Sequence, residues 1–189
     1  MKPKRKKIFN AAVKKFSENG TTATTMKEIS QEAGVGKGTL YRYFDNKEDL
    51  VSSLLSYGFK EMTEEIRDEI AEVETARQKI NKAVEVQLKF YKEESDFCRF
   101  LTREFWGYKD KFEENIKEIR SDYTVMIEEI IAEGIREEEF EDVDVEIAAV
   151  SLLGMVNLTA LHWFMFKGEI IVDKIQAEVM TIFLRGINS

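Results

Sequence analysis

The sequence predicts an all-α protein, and three observations carry that expectation. The only proline among 189 residues is Pro3, so nothing beyond the first turn interrupts a helix. Apolar side chains make up 43% of the chain, enough at this length to bury a core without disulfides. They recur at three- and four-residue intervals, the period of amphipathic helices, in one segment after another.

Taken in order, Ile8, Phe9, Ala12, Val13 and Phe16 give the first helix an apolar stripe from Lys4 to Glu18, and Asn19-Gly20 closes it. "TTATTMKEISQEAG" supplies Thr25 as a helix cap with Glu28 three residues on, a capping box, and Met26, Ile29 and Ala33 share the face behind it. That second helix is short and ends at Gly34. A third short helix follows a tight turn in "GVGKGTLYRYF", with Val35, Leu40 and Phe44 facing inward. Asp45 and Glu48 form a second capping box opening a long fourth helix, whose stripe runs through Leu50, Leu54, Tyr57, Met62 and Ile66 to about Val73. Ile80, Val84, Leu88 and Tyr91 mark another helix, Phe97 to Trp106 a short aromatic one, and Ile116 to Ile131 a long one. "GIREEEFEDVD" is expected to be a solvated acidic loop, and two helices, about 144–166 and 173–185, close the chain.

Composition excludes several functions. Cys98 is the only cysteine, which rules out an intrachain disulfide and suits a reducing, cytoplasmic setting. One cysteine and one histidine, His162, cannot make a metal cage of ordinary spacing, and no cofactor is expected. "MKPKRKK" is basic like the start of a signal peptide, but "IFNAAVKKFSE" returns to charges before an apolar stretch of the needed length forms. The net charge of −8 divides unevenly: residues 1–50 carry +5 and residues 51–189 carry −13. A basic head on an acidic body suggests binding to a polyanion.

"AGVGKGTLYRYF" has two readings. Gly36-Lys37-Gly38-Thr39 resembles the end of a phosphate-cradling loop, but Gln31 stands where such a loop needs its first glycine, and a capped helix precedes it instead of a strand. Two short helices joined by a glycine turn, behind a longer supporting helix, are the arrangement of a helix-turn-helix DNA reader. Lys37 and Thr39 then stand at the first turn of the recognition helix, Gly38 permits close approach of the backbone, and Tyr41, Arg42 and Tyr43 follow.

From Ile8 to Leu50, and above all in "TTMKEISQEAGVGKGTLYRYFDNKEDL", the chain resembles the TetR family of bacterial transcriptional regulators. The resemblance implies an all-α homodimer that represses transcription. It implies an N-terminal three-helix helix-turn-helix domain, residues 1–47, joined to a larger helical ligand-binding and dimerisation domain, residues 48–189. Carried over by position, Thr25 and Lys27 resemble contacts at the start of the second helix. Lys37, Gly38, Thr39, Tyr41 and Tyr43 resemble recognition-helix contacts, and Lys47 resembles a phosphate clamp. Arg42 is either a phosphate contact or a solvated charge.

The resemblance fades past Leu50, where the residues speak for themselves. Residues 147–166 carry no formal charge and are long enough to cross a bilayer, but Ser151, Asn157, Thr159 and His162 interrupt them and no second such segment exists, so no membrane partner is expected. A helix apolar all round can instead be covered by a second subunit. Leu158 and Leu161, with Ile175, Val179 and Ile182 of the last helix at near-heptad spacing, are the expected dimer interface. An aromatic cluster in the middle is either plain core or the lining of a cavity. Together with the resemblance it favours Phe97, Phe100, Arg103, Trp106, Tyr123 and Asn157 as the site of a small hydrophobic or amphipathic effector, possessing an anionic end if the arginine is used. An enzyme finds little support, since His162 has no nucleophile motif near it. The other alternative is an acidic helical interaction protein without specific DNA binding.

Overall fold

The computed structural model of the chain describes residues 3–100 and 113–187, the side chains of 113–121 excepted. Among these residues eight helices are bounded: α1 (Pro3–Asn19), α2 (Met26–Glu32), α3 (Lys37–Tyr41), α4 (Lys47–Ile70), α5 (Ala76–Glu93), α6 (Glu113–Arg136), α7 (Val145–Lys167) and α8 (Val172–Ile187). Residues 95–100 are helical as well, and the described residues contain no strand. The chain forms two compact units, Met1–Phe59 with Glu94–Lys117, and Lys60–Glu93 with Glu118–Ser189.

In the first unit, the stripe of α1 buries Ile8, Phe9, Ala12 and Phe16 with Met26 and Ile29 of α2, Leu40 of α3, Phe44, and Leu50 and Leu54 of α4. Gly20 and Gly34, at φ +79° and +62°, take the left-handed conformation that ends α1 and turns α2 into α3. The capping box at α2 forms as expected: the Thr25 hydroxyl accepts from the Glu28 N–H at 3.3 Å, and the Glu28 carboxylate accepts from the Thr25 N–H at 2.7 Å. The expected box at α4 sits one residue later. Asn46 Oδ1 accepts from the Asp49 N–H at 2.8 Å, while Asp49 Oδ2 accepts from the Asp45 N–H at 2.9 Å. Asp45 and Asn46 are both good caps with an acid three residues on, so the sequence pattern fits either register.

The second segment that differs from expectation is the acidic connector. Phe140 is only 3% exposed and lies against Gly134, where an added Cβ would come within 2.2 Å of its ring. Glu139 caps α5: its two carboxylate oxygens accept from the N–H groups of Ala76 (2.9 Å) and Arg77 (3.1 Å), two of the donors that a helix start leaves without intrahelical partners. This connector is thus a packed joint between α5 and α6. In the second unit α5 packs on α7 and α8, and α7 packs on α8.

Candidate nucleic-acid interface and effector site

The first unit presents the recognition helix. Gly36 precedes α3 in an extended conformation, and Leu40 and Phe44, 0% and 1% exposed, hold the helix down. Lys37, Gly38, Tyr41 and Arg42 stand on the solvent side, and Thr39 and Tyr43 are half-buried. Two cations are laid over neighbouring rings: Lys37 Nζ is 5.7 Å from the Tyr41 centroid and the Arg42 guanidinium 5.8 Å from that of Tyr43. Lys27 is exposed on the first turn of α2. The Thr25 hydroxyl donates to Glu28 Oε2 at 2.7 Å, so its proton is engaged inside the capping box and only an acceptor remains for a ligand. These side chains form a cationic and aromatic surface of the kind that meets phosphates and base edges.

Two basic residues have partners within the first unit itself. Arg5 does more than add charge to the Lys4–Lys7 run, since its guanidinium lies over both Phe9 (5.2 Å) and Phe44 (5.6 Å) and pins the start of α1 to the end of the recognition segment. Lys47, the expected phosphate clamp, reaches the turn between α1 and α2. Its ammonium donates to the carbonyl oxygens of Thr21 (2.6 Å) and Thr24 (2.9 Å), with that of Thr22 at 3.4 Å.

The described effector residues are divided between the two units. Phe97 and Phe100 belong to the first unit, where Phe97 meets Gly58 and Phe59 and Phe100 stacks on Phe16 at 5.4 Å. Tyr123 and Asn157 belong to the second unit and are joined there by Gln87 and Tyr91 of α5. Gln87 Nε2 donates to Asn157 Oδ1 (2.8 Å) and to the Tyr91 hydroxyl (3.1 Å). Tyr91 donates to the same Asn157 oxygen (2.8 Å), and Tyr123 donates to Gln87 Oε1 (2.9 Å). Gln87, Tyr91 and Tyr123 are buried, so this network ties α5, α6 and α7 together through polar groups with little access to water. Burial pushes the Tyr123 phenol far above its ordinary range and keeps it a proton donor at any physiological pH. Arg103 and Trp106 lie outside the described residues. Gln87 was missed by reading types and spacing for chemistry, although a glutamine beside Val84, Leu88 and Tyr91 in an apolar stripe is the signal that would have found it.

The residues expected at the dimer interface separate by exposure. Leu158 and Ile182 are 63% and 62% exposed, whereas Ile175 and Val179 are 2% and 4% exposed and fill the unit's own core. Leu161 is half-buried. Around Leu158, α7 also leaves Ile147, Val150, Met165 and Phe166 on the surface, an apolar row along one side of the helix.

The family model of the tetracycline-repressor-like C-terminal domain matches residues 73–187, and that of the tetR family of bacterial regulatory proteins matches residues 8–54. The chain belongs to the tetR family of bacterial regulators. It is 27% identical over 189 residues to the fatty acid metabolism regulator protein of Bacillus subtilis, covering 100% of this chain and 97% of that one. The crystal structure of the transcriptional regulator FadR from Bacillus subtilis in complex with stearoyl-CoA superposes with a TM-score of 0.90 at 26% identity, covering 97% of this chain and 99% of that one. The fatty acid degradation regulator FadR from Bacillus halodurans, at 24% identity, has the same fold, with a TM-score of 0.93 over 98% of this chain and 97% of its own.

Membership in the tetR family makes the chain a helix-turn-helix transcriptional regulator, and the alternative of an acidic interaction protein without DNA binding falls. The glycine-lysine segment is the turn and first residues of the recognition helix, and α2 stands where a phosphate loop would need a strand. By length and composition α7 could cross a membrane, with a mean hydropathy of 1.6. It lies instead within the matched C-terminal domain, with Ala149, Leu152, Val156 and Ala160 buried.

Proposed function

We propose that this tetR-family chain is a dimeric repressor that releases a palindromic operator when it binds a long-chain acyl-coenzyme A. The observation that carries the reading is its likeness, over nearly the whole of both chains, to the Bacillus subtilis regulator crystallised with stearoyl-CoA. The chemistry of the body agrees with it. An acyl-CoA is apolar along its chain, polar at the thioester and anionic at the phosphates. The second unit offers a helical interior in which Gln87, Tyr91, Tyr123 and Asn157 are the polar groups able to meet a carbonyl.

The DNA end uses Lys27, Lys37, Gly38, Thr39, Tyr41, Arg42 and Tyr43, with half-site centres about one helical turn, ~34 Å, apart or somewhat more. α4 is one continuous helix whose residues to Phe59 belong to the first unit and those from Lys60 to the second. A ligand that favours one setting of α4 would change the spacing of the two recognition helices and the fit to the operator. A coenzyme A thioester as effector and a duplex DNA partner suit a cytoplasmic regulator.

Calorimetric titration of the purified protein with stearoyl-CoA, coenzyme A and stearate, each below its aggregation threshold, tests the effector. Stearoyl-CoA is expected to bind at least ~100-fold more tightly than coenzyme A, since burying a long acyl chain contributes about 0.8 kcal/mol per methylene. Equal affinity for the thioester and the free thiol, or heat from neither, would reject an acyl-CoA effector.

A further inference from the structure

The polar cluster of the second unit draws on three helices: Gln87 and Tyr91 of α5, Tyr123 of α6 and Asn157 of α7. Its hydrogen bonds can be followed donor by donor. Gln87 Nε2 uses both of its N–H groups, one on the Tyr91 hydroxyl and one on Asn157 Oδ1. The Tyr91 hydroxyl donates to the same Asn157 oxygen, and the Tyr123 hydroxyl donates to Gln87 Oε1. Every side-chain donor of these three residues is thereby engaged within the cluster. Asn157 differs. Its oxygen accepts two hydrogen bonds, each of 2.8 Å, which directs the other edge of the amide away from Gln87 and Tyr91. Among the described residues no acceptor takes either N–H of Asn157 Nδ2. Gln87, Tyr91 and Tyr123 are buried and Asn157 is half-buried, so the unused donors belong to the one member that a second molecule can reach. Water can satisfy these donors in the free protein, and an acceptor on a ligand can replace that water.

The chemistry behind Asn157 selects the kind of acceptor. A carboxylate at this place would meet four uncharged side chains and no cation within the cluster, which leaves its charge unpaired. A carbonyl oxygen needs only a donor. We infer that Asn157 is the specificity residue of the effector site, and that its Nδ2 group donates to the carbonyl oxygen of the acyl thioester. The inference rests on the acyl-coenzyme A reading proposed above and deepens it, because burial of the acyl chain alone favours a ligand equally with or without that carbonyl.

The test is calorimetric titration of wild type, Asn157→Ala and Asn157→Asp with two probes below their aggregation thresholds. One is stearoyl-CoA, and the other is its thioether S-octadecyl-CoA, in which a methylene replaces the carbonyl. Wild type is expected to bind the thioester about tenfold more tightly than the thioether, the contribution of one well-placed hydrogen bond. Asn157→Ala is expected to bind the two alike. Any general loosening of the cluster weakens both probes and leaves their ratio as the readout. Asn157→Asp keeps an oxygen for Gln87 and Tyr91 but offers no N–H, so it too loses the preference, and it decides the matter if the alanine variant does not fold. Equal affinities in the wild type would overturn the inference. So would a preference that both variants retain: with the two probes weakened alike the amide is purely structural, and with a dimer weakened in sedimentation velocity its N–H groups face the partner subunit. If the wild type binds neither probe, the acyl-coenzyme A reading itself fails, and this subsite with it.

Discussion

Leu158→Glu is expected to convert the proposed dimer to a folded monomer. Leu158 is 63% exposed in the chain by itself and lies on the row of α7 that includes Ile147, Val150, Met165 and Phe166, while Ile182 of α8 is exposed to a similar degree. An interface formed on this face would enclose the new carboxylate without a partner, and an unpaired buried charge costs about 3–5 kcal/mol, enough to separate most dimers at micromolar concentration. The protomer should be indifferent, because the side chain touches water before assembly. Ile182→Glu should behave in the same way. Val179→Glu should not: with Val179 only 4% exposed, a charge there enters the core of the second unit and is expected to unfold it. Sedimentation velocity with circular dichroism distinguishes the three variants. Intact dimers for both Leu158→Glu and Ile182→Glu would place the interface elsewhere.

Gly58→Ala is expected to destabilise the first unit although it adds a single methyl group. A Cβ at this position would lie 2.3 Å from Phe97 Cζ, well inside contact distance. The ring has little room to retreat. It is 4% exposed, sits edge-on to Phe59 at 6.3 Å and 6.1 Å from Phe100, and Phe100 in turn stacks on Phe16. Overpacking of this kind costs about 1–3 kcal/mol. In a chain of this size that lowers the melting temperature by roughly 2–4 °C for each kcal/mol. A double variant with Phe97→Leu should recover part of the loss, because the smaller side chain can move away from the methyl group. An unchanged melting temperature for Gly58→Ala would show that Phe97 is not seated on Gly58.

How much of this was legible depended on how far each signal reached along the chain. The Thr25–Glu28 cap is encoded within four residues, and the sequence states it completely. Asp45-Asn46 followed by Glu48-Asp49 encodes two overlapping caps, and only the geometry of the entering chain selects Asn46. The heptad-like row of the last helix marks Ile175, Val179 and Ile182 as apolar, but spacing cannot say whether a row is covered by its own unit or by another copy. The stripe of α8 turns the first two inward and leaves Ile182 outside. Lys47 is the sharpest case. The family resemblance implied a clamp, while its long side chain reaches back 26 residues to Thr21, a relation that no local pattern contains. The same holds for Gln87 and Asn157, 70 residues apart and joined by one hydrogen bond.

The central claim, that an acyl-CoA and the operator compete through the state of one protein, is tested most directly by its reciprocity. Stearoyl-CoA is titrated against the intrinsic fluorescence of Trp106 and Trp163, once with the free protein and once with saturating operator duplex. The account predicts that the operator weakens stearoyl-CoA binding by the same factor by which stearoyl-CoA weakens operator binding, typically ~5–150-fold or about 1–3 kcal/mol. Identical stearoyl-CoA affinities in the two titrations would contradict it.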